Sequence, residues 1–513
     1  MKLSVFILCF LVSTALTAQL ERSGTPVSWN QQLTVPIANE WVSEANVGLL
    51  LQEDALQVED RSVPYRFAYA RPVSWNMTNS GSWFNLANGD RLWILGIDYD
   101  GARSVSITLS NLQLPKQGKL YVYSEDRSDY LGPLTDEDNR LTELCLPHVN
   151  GQKIYMEYYE PRAHRGEGSL EVRYVTGSYR DTQAEVAPMQ SCAQWYAESA
   201  DEFQGARSAS SIMRVLVDHG QRYATAVMIN NSSNNAKPYV VVPAQALIGD
   251  VSSMVFQFGL NELECVLEET NCALQSICGA ELVCIDEAHG LALLCLHKSP
   301  PAEWDAYYAG WSLDNTGESV RYCVQHPKGL AKSYSRYDDV FMPVIQDDLS
   351  YVGLEGTGTG QTDGGSIGSP LLDSDWNVVG LFVGGNSRCT AAGGIDRFVL
   401  LADVWMTFRS FLDPLQSTDV RIPGMETPQI DAIANVSAEV VVFPNPAAER
   451  VQIVGLDASD VTALEVYDAT GRAVLRAQNT VTIDLSALKD GVYVLRVISP
   501  QGIFAKSLLV SKK

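Results

Sequence analysis

The sequence predicts an all-β chain built from three folded domains. Short runs of alternating β-branched and aromatic residues are separated by Gly, Pro and Asp residues, which is the pattern of strands joined by turns. The chain has 513 residues, of which 46% are hydrophobic, and this is enough for about three domain cores. A stretch rich in Pro, Thr, Ser, Asp and Glu at 414–439 predicts a linker before the last domain.

Residues 1–18 have the pattern of a signal peptide. Met1 and Lys2 precede an apolar run from Leu3 to Leu16, and the small residue Ala18 closes the segment, which predicts cleavage after Ala18. No other apolar run approaches the ~18 residues that a membrane-spanning helix needs. We therefore expect an exported protein.

Residues 19–185 predict a β-sandwich. The runs with β-branched and aromatic alternation lie between turn residues, as strands of a sandwich do. They are Leu92–Tyr99, Val105–Leu109, Leu120–Tyr123, Ile154–Tyr159 and Leu170–Tyr174.

Residues 190–413 carry motifs that occur together in one protein family. They are Pro238–Ala246 (P-Y-V-V-V-P-A-Q-A), His289–Leu296 (H-G-L-A-L-L-C-L), Tyr308–Trp311 (Y-A-G-W), Gln325–Pro327 (Q-H-P), Asp363–Pro370 (D-G-G-S-I-G-S-P) and Val378–Cys389. In this order they resemble segments of the bacterial lysyl endopeptidases, which are secreted trypsin-like serine proteases. The resemblance implies a trypsin-like double β-barrel. Residues 81–121 similarly resemble the pro-region of that family, which active enzymes remove.

The resemblance implies the positions of the catalytic triad. The histidine position is held by Gln245, the aspartate position by Gly290 and the serine position by Ile367. Gly365 and Ile367 hold the positions that form the oxyanion hole. A Ser-His-Asp protease needs a hydroxyl, an imidazole and a carboxylate, and these three side chains supply none of them. We expect no catalytic residue, and hence a chain that is not an enzyme but a pseudoprotease.

The expected function is binding of a protein or peptide at the cell surface. The residues expected to line the cleft are Tyr308, Trp311, Ser366 and Ser369, beside an edge strand at Val378–Gly385 that can accept an extended peptide. Two other functions stay open. One is an active serine endopeptidase with a rearranged site that uses Ser366, Ser369 or His289. The other is a structural or adhesin-type surface protein.

Lysine recognition is expected to be weak. Family members that cut after lysine carry an aspartate at the base of the specificity pocket, after the last cysteine. In this chain a shorter run follows Cys389, and Asp396 takes that position only if the alignment shifts.

Cysteine usage fits an exported chain. The sequence has ten cysteines, and removal of Cys9 with the signal peptide leaves nine, so at least one thiol is free or shared between chains. The resemblance implies a disulfide between Cys192 and Cys389. Four more cysteines have spacings of six or seven residues, whereas zinc sites usually contain tight pairs, so we expect local disulfides among them. They are Cys265, Cys272, Cys278 and Cys284.

The composition excludes nucleic-acid binding. The net charge is −24, and an acidic surface repels phosphate backbones. The histidines show no metal-ligand spacing. We expect no cofactor and no metal.

Residues 440–513 carry a second set of motifs. They are Val440–Ala447, Leu464–Arg472, Ile483–Ser486, Leu488, Gly491–Leu495 and Lys506. Together they resemble the C-terminal sorting domain of type IX secreted proteins of the Bacteroidetes, a small Ig-like β-sandwich. The resemblance implies recognition by the type IX secretion machinery, export to the outer-membrane surface and removal of the tail. Release or attachment to a surface lipopolysaccharide would follow.

Overall fold

The protein is described by a computed structural model that divides into two compact units, Met1–Pro428 and Gln429–Lys513. The structure describes residues 24–31, 36–56, 61–180, 186, 189, 193–196, 207–262, 275–314, 320–338, 341–346, 349–356, 359–387, 394–417, 419–428, 441–454, 461, 463–467, 473–478, 480–499 and 502–512. The predicted signal peptide lies outside these residues.

The all-β prediction is confirmed. Strands dominate the described residues, and their α-helices are the short α1 (Val47–Ala55) and α2 (Leu401–Leu412). Single-turn 3₁₀ helices lie at Val27–Asn30, Asp136–Asp138, Arg162–His164, Arg207–Ser211, Ala244–Ala246, Val251–Ser253, Ala302–Trp304 and Pro327–Gly329. Within the described part of the chain, neither helix has the length and apolar character needed to cross a membrane.

The N-terminal part of the first unit is a β-sandwich. One sheet has the strand order β1-β5-β11-β7-β8 with β4 beside β5, and the other has the order β10-β6-β12-β3 with β9 beside β6. The strands of this part of the chain are β1 (Asn39–Val42), β2 (Tyr65–Arg66), β3 (Ala68–Asn76), β4 (Ser82–Asn85), β5 (Arg91–Tyr99), β6 (Ser104–Gln113), β7 (Lys119–Ser124), β8 (Tyr130–Leu134), β9 (Leu144–Cys145), β10 (Val149–Asn150), β11 (Lys153–Glu160) and β12 (Ser169–Ser178). Of these, β2 belongs to neither sheet of the sandwich.

Side chains that alternate between the two faces of each strand form the core of this sandwich. Trp93, Leu95 and Ile97 of β5 face Ile107 of β6 and Val172 of β12, and all five are fully buried in one core. Successive residues of a strand point to opposite faces, so every second residue of these runs enters the core. The five strands predicted from the sequence coincide with β5, β6, β7, β11 and β12.

The rest of the first unit contains two large sheets and a two-stranded sheet of β21 and β31. The strands are β13 (Gln194–Trp195), β14 (Ile212–Val217), β15 (Arg222–Ile229), β16 (Tyr239–Pro243), β17 (Val255–Phe258), β18 (Gln275–Cys278), β19 (Ala280–Asp286), β20 (Leu291–Leu296), β21 (Tyr307–Tyr308), β22 (Trp311–Ser312), β23 (Arg321–Gln325), β24 (Ser333–Tyr337), β25 (Met342–Gln346), β26 (Leu349–Glu355), β27 (Pro370–Leu372), β28 (Val378–Gly385), β29 (Ile395–Leu400), β30 (Arg421–Ile422) and β31 (Met425–Glu426).

The two sheets are mostly antiparallel. The first has the order β18-β17-β14-β15-β16-β20-β19, and β2 of the N-terminal part is added beside β15. The second has the order β13-β24-β23-β27-β28-β29-β26-β25, with β22 beside β28 and β30 beside β22. Every residue of β14, β16 and β28 is buried, which explains their continuous apolar sequences. The buried residues of α2, Leu401, Val404, Phe408 and Leu412, recur at helical spacing and cover the second sheet.

The predicted linker is partly folded. Within residues 414–439, β30 pairs with β22 and β31 pairs with β21. The first unit therefore extends to Pro428, because backbone pairing holds this stretch against the sheets.

The second unit is a small sandwich of its own. Its strands form the sheets β32-β33-β36 and β35-β34-β37-β38, with Val451, Leu464 and Leu495 buried between them. The strands are β32 (Val441–Phe443), β33 (Arg450–Val454), β34 (Ala463–Tyr467), β35 (Ala473–Gln478), β36 (Thr482–Asp484), β37 (Gly491–Ser499) and β38 (Gly502–Val510).

Candidate functional site

The structure brings two of the three triad positions together. Gln245 lies in the turn after β16 and is exposed, and Gly290 lies in the turn between β19 and β20. A Cβ atom built on Gly290 would lie 3.7 Å from Nε2 of Gln245. The backbone N–H of Ala244 donates to the carbonyl oxygen of Gly290 at 2.8 Å, which fixes this neighbourhood. The positions thus have the proximity that a histidine and an aspartate need, but the side chains present carry no titrating group.

The third position, Ile367, lies in the core. Its side chain is fully buried among residues of the first sheet, including Ala246. Its carbonyl oxygen accepts a hydrogen bond from the N–H of Thr225 at 2.9 Å. Gly365 and Gly368 on either side have φ values of +88° and +89°, a region that favours glycine. The turn is therefore held in a defined shape around an apolar side chain.

A carboxylate–imidazole pair lies next to these positions. Nδ1 of His289 is 2.9 Å from Oδ1 of Asp286, and the Thr407 hydroxyl donates to Oδ2 at 2.6 Å. Burial raises the pKa of Asp286, but the hydrogen bonds from Thr407 and His289 outweigh it and leave the pKa below its ordinary value. The His289 side chain is 33% exposed, so this pair can meet a ligand.

The four residues predicted to line the cleft are buried in the intact chain, which corrects that expectation. Tyr308 donates to the carbonyl of Ala236, and the Trp311 indole donates to that of Asn230. Ser366 accepts from the N–H of Asp363, and Ser369 donates to the Ser366 carbonyl. Tyr308, Trp311, Ser366 and Ser369 are all fully buried. Their partners are groups of the chain itself, distant in sequence for Tyr308 and Trp311 and local for Ser366 and Ser369, because buried polar atoms are hydrogen-bonded.

The predicted edge strand is largely covered. Val378–Leu381 of β28 pair with β27 on one side, and β29 lies on the other side from Gly380 onward. In the described sheet, Phe382, Gly384 and Gly385 pair with β29 and not with β27, and the register with β29 shifts at Val383. These residues are themselves buried, so β28 offers no exposed edge for strand addition.

A buried carboxylate lies beside this end of β28. Asp396 of β29 is opposite Gly385 in register and is fully buried. The hydroxyls of Tyr337 and Ser387 each donate to its Oδ2 at 2.6 Å, and the Thr362 hydroxyl donates to Oδ1 at 3.1 Å. We name Tyr337, Thr362, Gly385, Ser387 and Asp396 the Asp396 pocket.

The sequence did not identify the Asp396 pocket as a unit. Its members come from β24, the turn before β27, and strands β28 and β29, so no local motif contains them. The only signal was the position of Asp396 after the last cysteine.

A segment of the N-terminal sandwich also reaches the site. β2 pairs antiparallel with β15, with Tyr65 opposite Tyr223 and Arg66 opposite Arg222. A Cβ atom built on Gly364 would lie 2.6 Å from Cδ2 of Tyr65, so the tyrosine ring lies directly on the Asp363–Pro370 turn. We call residues 61–66 the Arg61 segment.

The cysteines are free wherever they are described. Cys145, Cys278, Cys284, Cys295 and Cys323 are thiols, so neither Cys278 nor Cys284 forms a predicted local disulfide in the described part of the chain. The predicted Cys192–Cys389 disulfide lies outside the described residues, as do Cys265 and Cys272. Among the residues described, no group of three or more His, Cys, Asp and Glu side chains could hold a metal ion.

Comparison with known proteins identifies two parts of the chain. Residues 191–399 match the family model for the lysyl endopeptidase C-terminal domain, and residues 441–511 match that for the secretion system C-terminal sorting domain. A lysyl endopeptidase of Pseudomonas aeruginosa is 25% identical over 274 residues, covering 51% of this chain. The match spans 58% of the length of that relative.

A solved structure shows a more distant likeness. The apo MamO protease domain from Magnetospirillum magneticum aligns with a TM-score of 0.28 and 11% identity, over 39% of this chain and 96% of that one.

The comparisons correct one prediction from the sequence. The prediction that the chain is not an enzyme is wrong, because the matched family and the curated relative are lysyl endopeptidases. The assignment therefore points to a protease family. The predicted resemblance to lysyl endopeptidases and to a type IX sorting tail is confirmed.

The sorting tail indicates where the protein acts. A secretion system sorting domain implies an interaction with the secretion machinery and a location at the cell surface or outside the cell. Residues 191–399 are thus similar to the lysyl endopeptidase C-terminal domain, and residues 441–511 to the type IX secretion sorting domain.

Proposed function

We propose that this exported chain, which is similar to lysyl endopeptidases over residues 191–399, binds an extended polypeptide on the surface around Gln245 and Gly364, beside the buried end of β28 and the Asp396 pocket. The main support comes from the chain itself, because one of its own extended segments already lies on this surface. β2 adds to β15 as a strand, and the Tyr65 ring covers Gly364. An extended peptide commonly binds in this way, through backbone pairing plus side-chain contacts.

Two features of the surface suit a peptide ligand. The Gln245 side chain is exposed, and its amide offers a donor and an acceptor that match a peptide group. Val383–Gly385 lack a β27 partner, and although they are buried, their backbone can extend the pairing when the groups that cover them are displaced. We infer that the predicted triad positions serve recognition here. Gln245 would form hydrogen bonds to the ligand at the position where a histidine would transfer a proton.

Export places this binding outside the cell. The tail would be removed on passage through the outer membrane, and the first unit would then be released or attached to a surface lipopolysaccharide. Its ligands would be extracellular or surface polypeptides.

Hydrolysis of peptides is a second candidate. The family match favours it, and the His289–Asp286 pair supplies an imidazole held by a carboxylate, as a general base requires. Because Gln245, Gly290 and Ile367 supply neither a nucleophile nor a base, hydrolysis would depend on groups such as His289.

One experiment tests both candidates. A library of unstructured peptides is mixed with the full chain, and bound and cleaved peptides are identified by mass spectrometry. We expect captured peptides, and we expect Gly364→Leu to abolish capture because its side chain would occupy the place of the Tyr65 ring. The control Gly48→Leu changes an exposed glycine of α1 with only the Asn46 side chain nearby and should bind as the wild type does.

The outcomes separate the candidates. No capture by the wild type at millimolar peptide would overturn the binding proposal. Cleavage that disappears in His289→Asn would establish the hydrolytic function.

A further inference from the structure

A cavity of about 480 Å³ lies on the outer face of the sheet β1-β5-β11-β7-β8. Tyr159 of β11 and Lys119 of β7 line it and are opposite each other in register. One wall belongs to residues 27–31, and the other is the turn between β4 and β5, which includes Asn88. The volume falls within the roughly 300–1,000 Å³ of pockets that hold small ligands. We call this the Lys119 cavity.

Both walls of the Lys119 cavity are held by hydrogen bonds. The N–H of Ser28 donates to Oε1 of the buried Glu157 at 3.1 Å, which ties the first wall to β11. In the second wall, the N–H of Leu86 donates to the carbonyl oxygen of Asp90 at 2.8 Å. The N–H of Asp90 in turn donates to Oδ1 of Asn88 at 3.1 Å. The cavity is therefore preformed, which lowers the entropic cost of binding a ligand.

The uncharged polar side chains of the cavity suit hydroxyl groups. Gln31 and Asn88 are exposed, and an amide nitrogen carries two donor hydrogens, of which Asn88 uses one toward Asp90. The Tyr159 hydroxyl donates to Oδ2 of Asp90 at 2.6 Å, so its oxygen can still accept a hydrogen bond from a ligand. That contact lowers the pKa of Asp90, and the ionised carboxylate holds the phenol in place.

Lys119 gives the cavity an available positive charge. Its side chain is exposed, and none of the ion pairs between described residues involves it. The neighbouring Asp90 already has a cation, because its pKa is lowered first by the Tyr159 hydrogen bond and then also by the N–H and the charge of Arg162. The net charge of the chain is −24, so its overall field repels anions. An anionic ligand would therefore be held here by a local contact.

The apolar part of the lining suits a ring with a non-polar face. Val27 and Leu86 line the cavity and pack on a small core of Phe84, Leu92 and Ile94. A ligand that fills the cavity must cover this apolar surface as well as the amides and the ammonium. A pyranose ring with a carboxylate meets all three requirements, because it combines C–H groups on its face, hydroxyls at its edge and one negative charge.

We propose that the Lys119 cavity binds an acidic sugar, that is, a pyranose with a carboxylate such as a uronic or sialic acid unit of an extracellular glycan. The carboxylate pairs with Lys119, the hydroxyls bind the amides of Gln31 and Asn88, and the ring packs on Leu86. The cavity belongs to the N-terminal sandwich, so this inference goes beyond the proposed peptide binding and does not depend on it. It gives the exported chain a contact with the glycans around cells.

Titrations of the full chain followed by saturation-transfer NMR test the proposal. The probes are glucuronate and N-acetylneuraminate, with glucose as the neutral analogue and acetate as a carboxylate without a ring. We expect a dissociation constant of about millimolar for at least one acidic sugar. Glucose should bind about tenfold more weakly, because it lacks the hydrogen bond to a charged group. The stronger of the two acidic sugars identifies the glycan class.

Three variants connect this binding to the cavity. Lys119→Gln keeps a polar side chain without the charge and should weaken acidic-sugar binding about tenfold, to the level of glucose. Lys116→Gln is the matched control, because Lys116 is an exposed lysine of the preceding turn outside the cavity lining, and it should bind as the wild type does. Ala87→Trp places a large side chain in the cavity from an exposed position and should abolish binding of every sugar.

The outcomes that contradict the proposal are distinct from those that contradict peptide binding. Absence of binding by both acidic sugars, acetate binding as strong as theirs, or equal losses in Lys119→Gln and Lys116→Gln would each overturn it. Ala87→Trp should still capture the same peptides as the wild type, since the peptide surface lies around Gln245 and Gly364. Loss of sugar binding alone in that variant would therefore support two separate sites.

Discussion

Gln245 and Gly290 are neighbours in space although 45 residues separate them in sequence: a Cβ atom on Gly290 would lie 3.7 Å from Nε2 of Gln245. This is the relationship that a histidine and an aspartate have in a triad. The fold therefore places the two positions predicted for the histidine and the aspartate side by side, with side chains that carry no titrating group.

This geometry predicts the behaviour of an introduced histidine. In Gln245→His/Gly290→Asp, the new imidazole should titrate about one pH unit higher than in Gln245→His alone, because a nearby carboxylate stabilises the charged ring. An aspartate is among the residues that tolerate the positive φ of +72° at position 290. Proton NMR measures this directly, since the chain has only six histidines of its own. The control is Gln245→His/Gly166→Asp, and equal titration in both double variants would contradict the geometry.

The turn around Ile367 should be intolerant of a Cβ atom at Gly368. An added Cβ would overlap the carbonyl oxygen of Thr225 and approach Cδ of Pro243 at 2.8 Å. Gly368→Ala should lower the free energy of unfolding by about 3 kcal/mol or more, since backbone atoms must move. Urea unfolding followed by tryptophan fluorescence measures the loss.

Gly166 provides the matched control for that change. Its φ of +86° is close to that of Gly368, but nothing lies within 4 Å of its added Cβ. Gly166→Ala should therefore cost only the backbone strain of about 1–2 kcal/mol. Equal losses in the two variants would show that the turn is not packed as described.

Lys332 should make stability depend on pH. It is buried and donates from Nζ to the Ala209 carbonyl at 2.6 Å and to Asn261 at 3.0 Å. Burial lowers its pKa from 10.5 to about 7. Between pH 7 and pH 9 the unfolded chain thus binds more protons than the folded chain, so stability rises with pH. From about pH 8 the cysteine thiols of the unfolded chain titrate and oppose this trend, so the effect of the lysine is measured as a difference between two chains.

The test compares the wild type with Lys332→Met. The difference in unfolding free energy, wild type minus variant, should increase from pH 7 to pH 9 in urea titrations. Lys119→Met, at an exposed position, serves as the control with a constant difference. A constant difference for Lys332→Met as well would exclude the buried lysine as the source.

Much of the architecture follows from the sequence because burial imposes periodicity. Runs such as Ile154–Tyr159 alternate because one face of β11 enters the sandwich core. The fully buried β16 and β28 read as continuous apolar runs. These patterns are local, and a local pattern is what a single sequence displays.

The site was less predictable because it depends on contacts distant in sequence. Tyr65 and Arg66 read as part of the N-terminal domain, yet their strand belongs to the sheet of β15. Asp396 faces Gly385 only through a register that shifts between Phe382 and Gly384, and no sequence period reveals such a shift. The motifs predict Tyr308 and Trp311 as cleft residues, but motif membership does not show which way a side chain points.

The sorting tail predicts the fate of a truncated chain. Removal of residues 441–513 should leave the first unit folded, because it has its own cores, but retained in the cell. Immunoblots of cell, surface and medium fractions from a type IX secreting host measure this. The tail fused to a reporter protein should in turn be sufficient for export. A truncated chain that still reaches the medium would contradict the sorting role.

The most direct test of the peptide-binding account adds the Arg61 segment to the protein as a separate peptide. A labelled peptide with the sequence of residues 61–68, R-S-V-P-Y-R-F-A, is titrated into the full-length Arg61→Ala variant, which lacks the hydrogen bond from Arg61 to Thr362, and followed by fluorescence polarisation. The account predicts saturable binding that is lost when Gly364→Leu is added and is absent for a scrambled peptide. Binding equal to that of the scrambled peptide, or binding unaffected by Gly364→Leu, would contradict it.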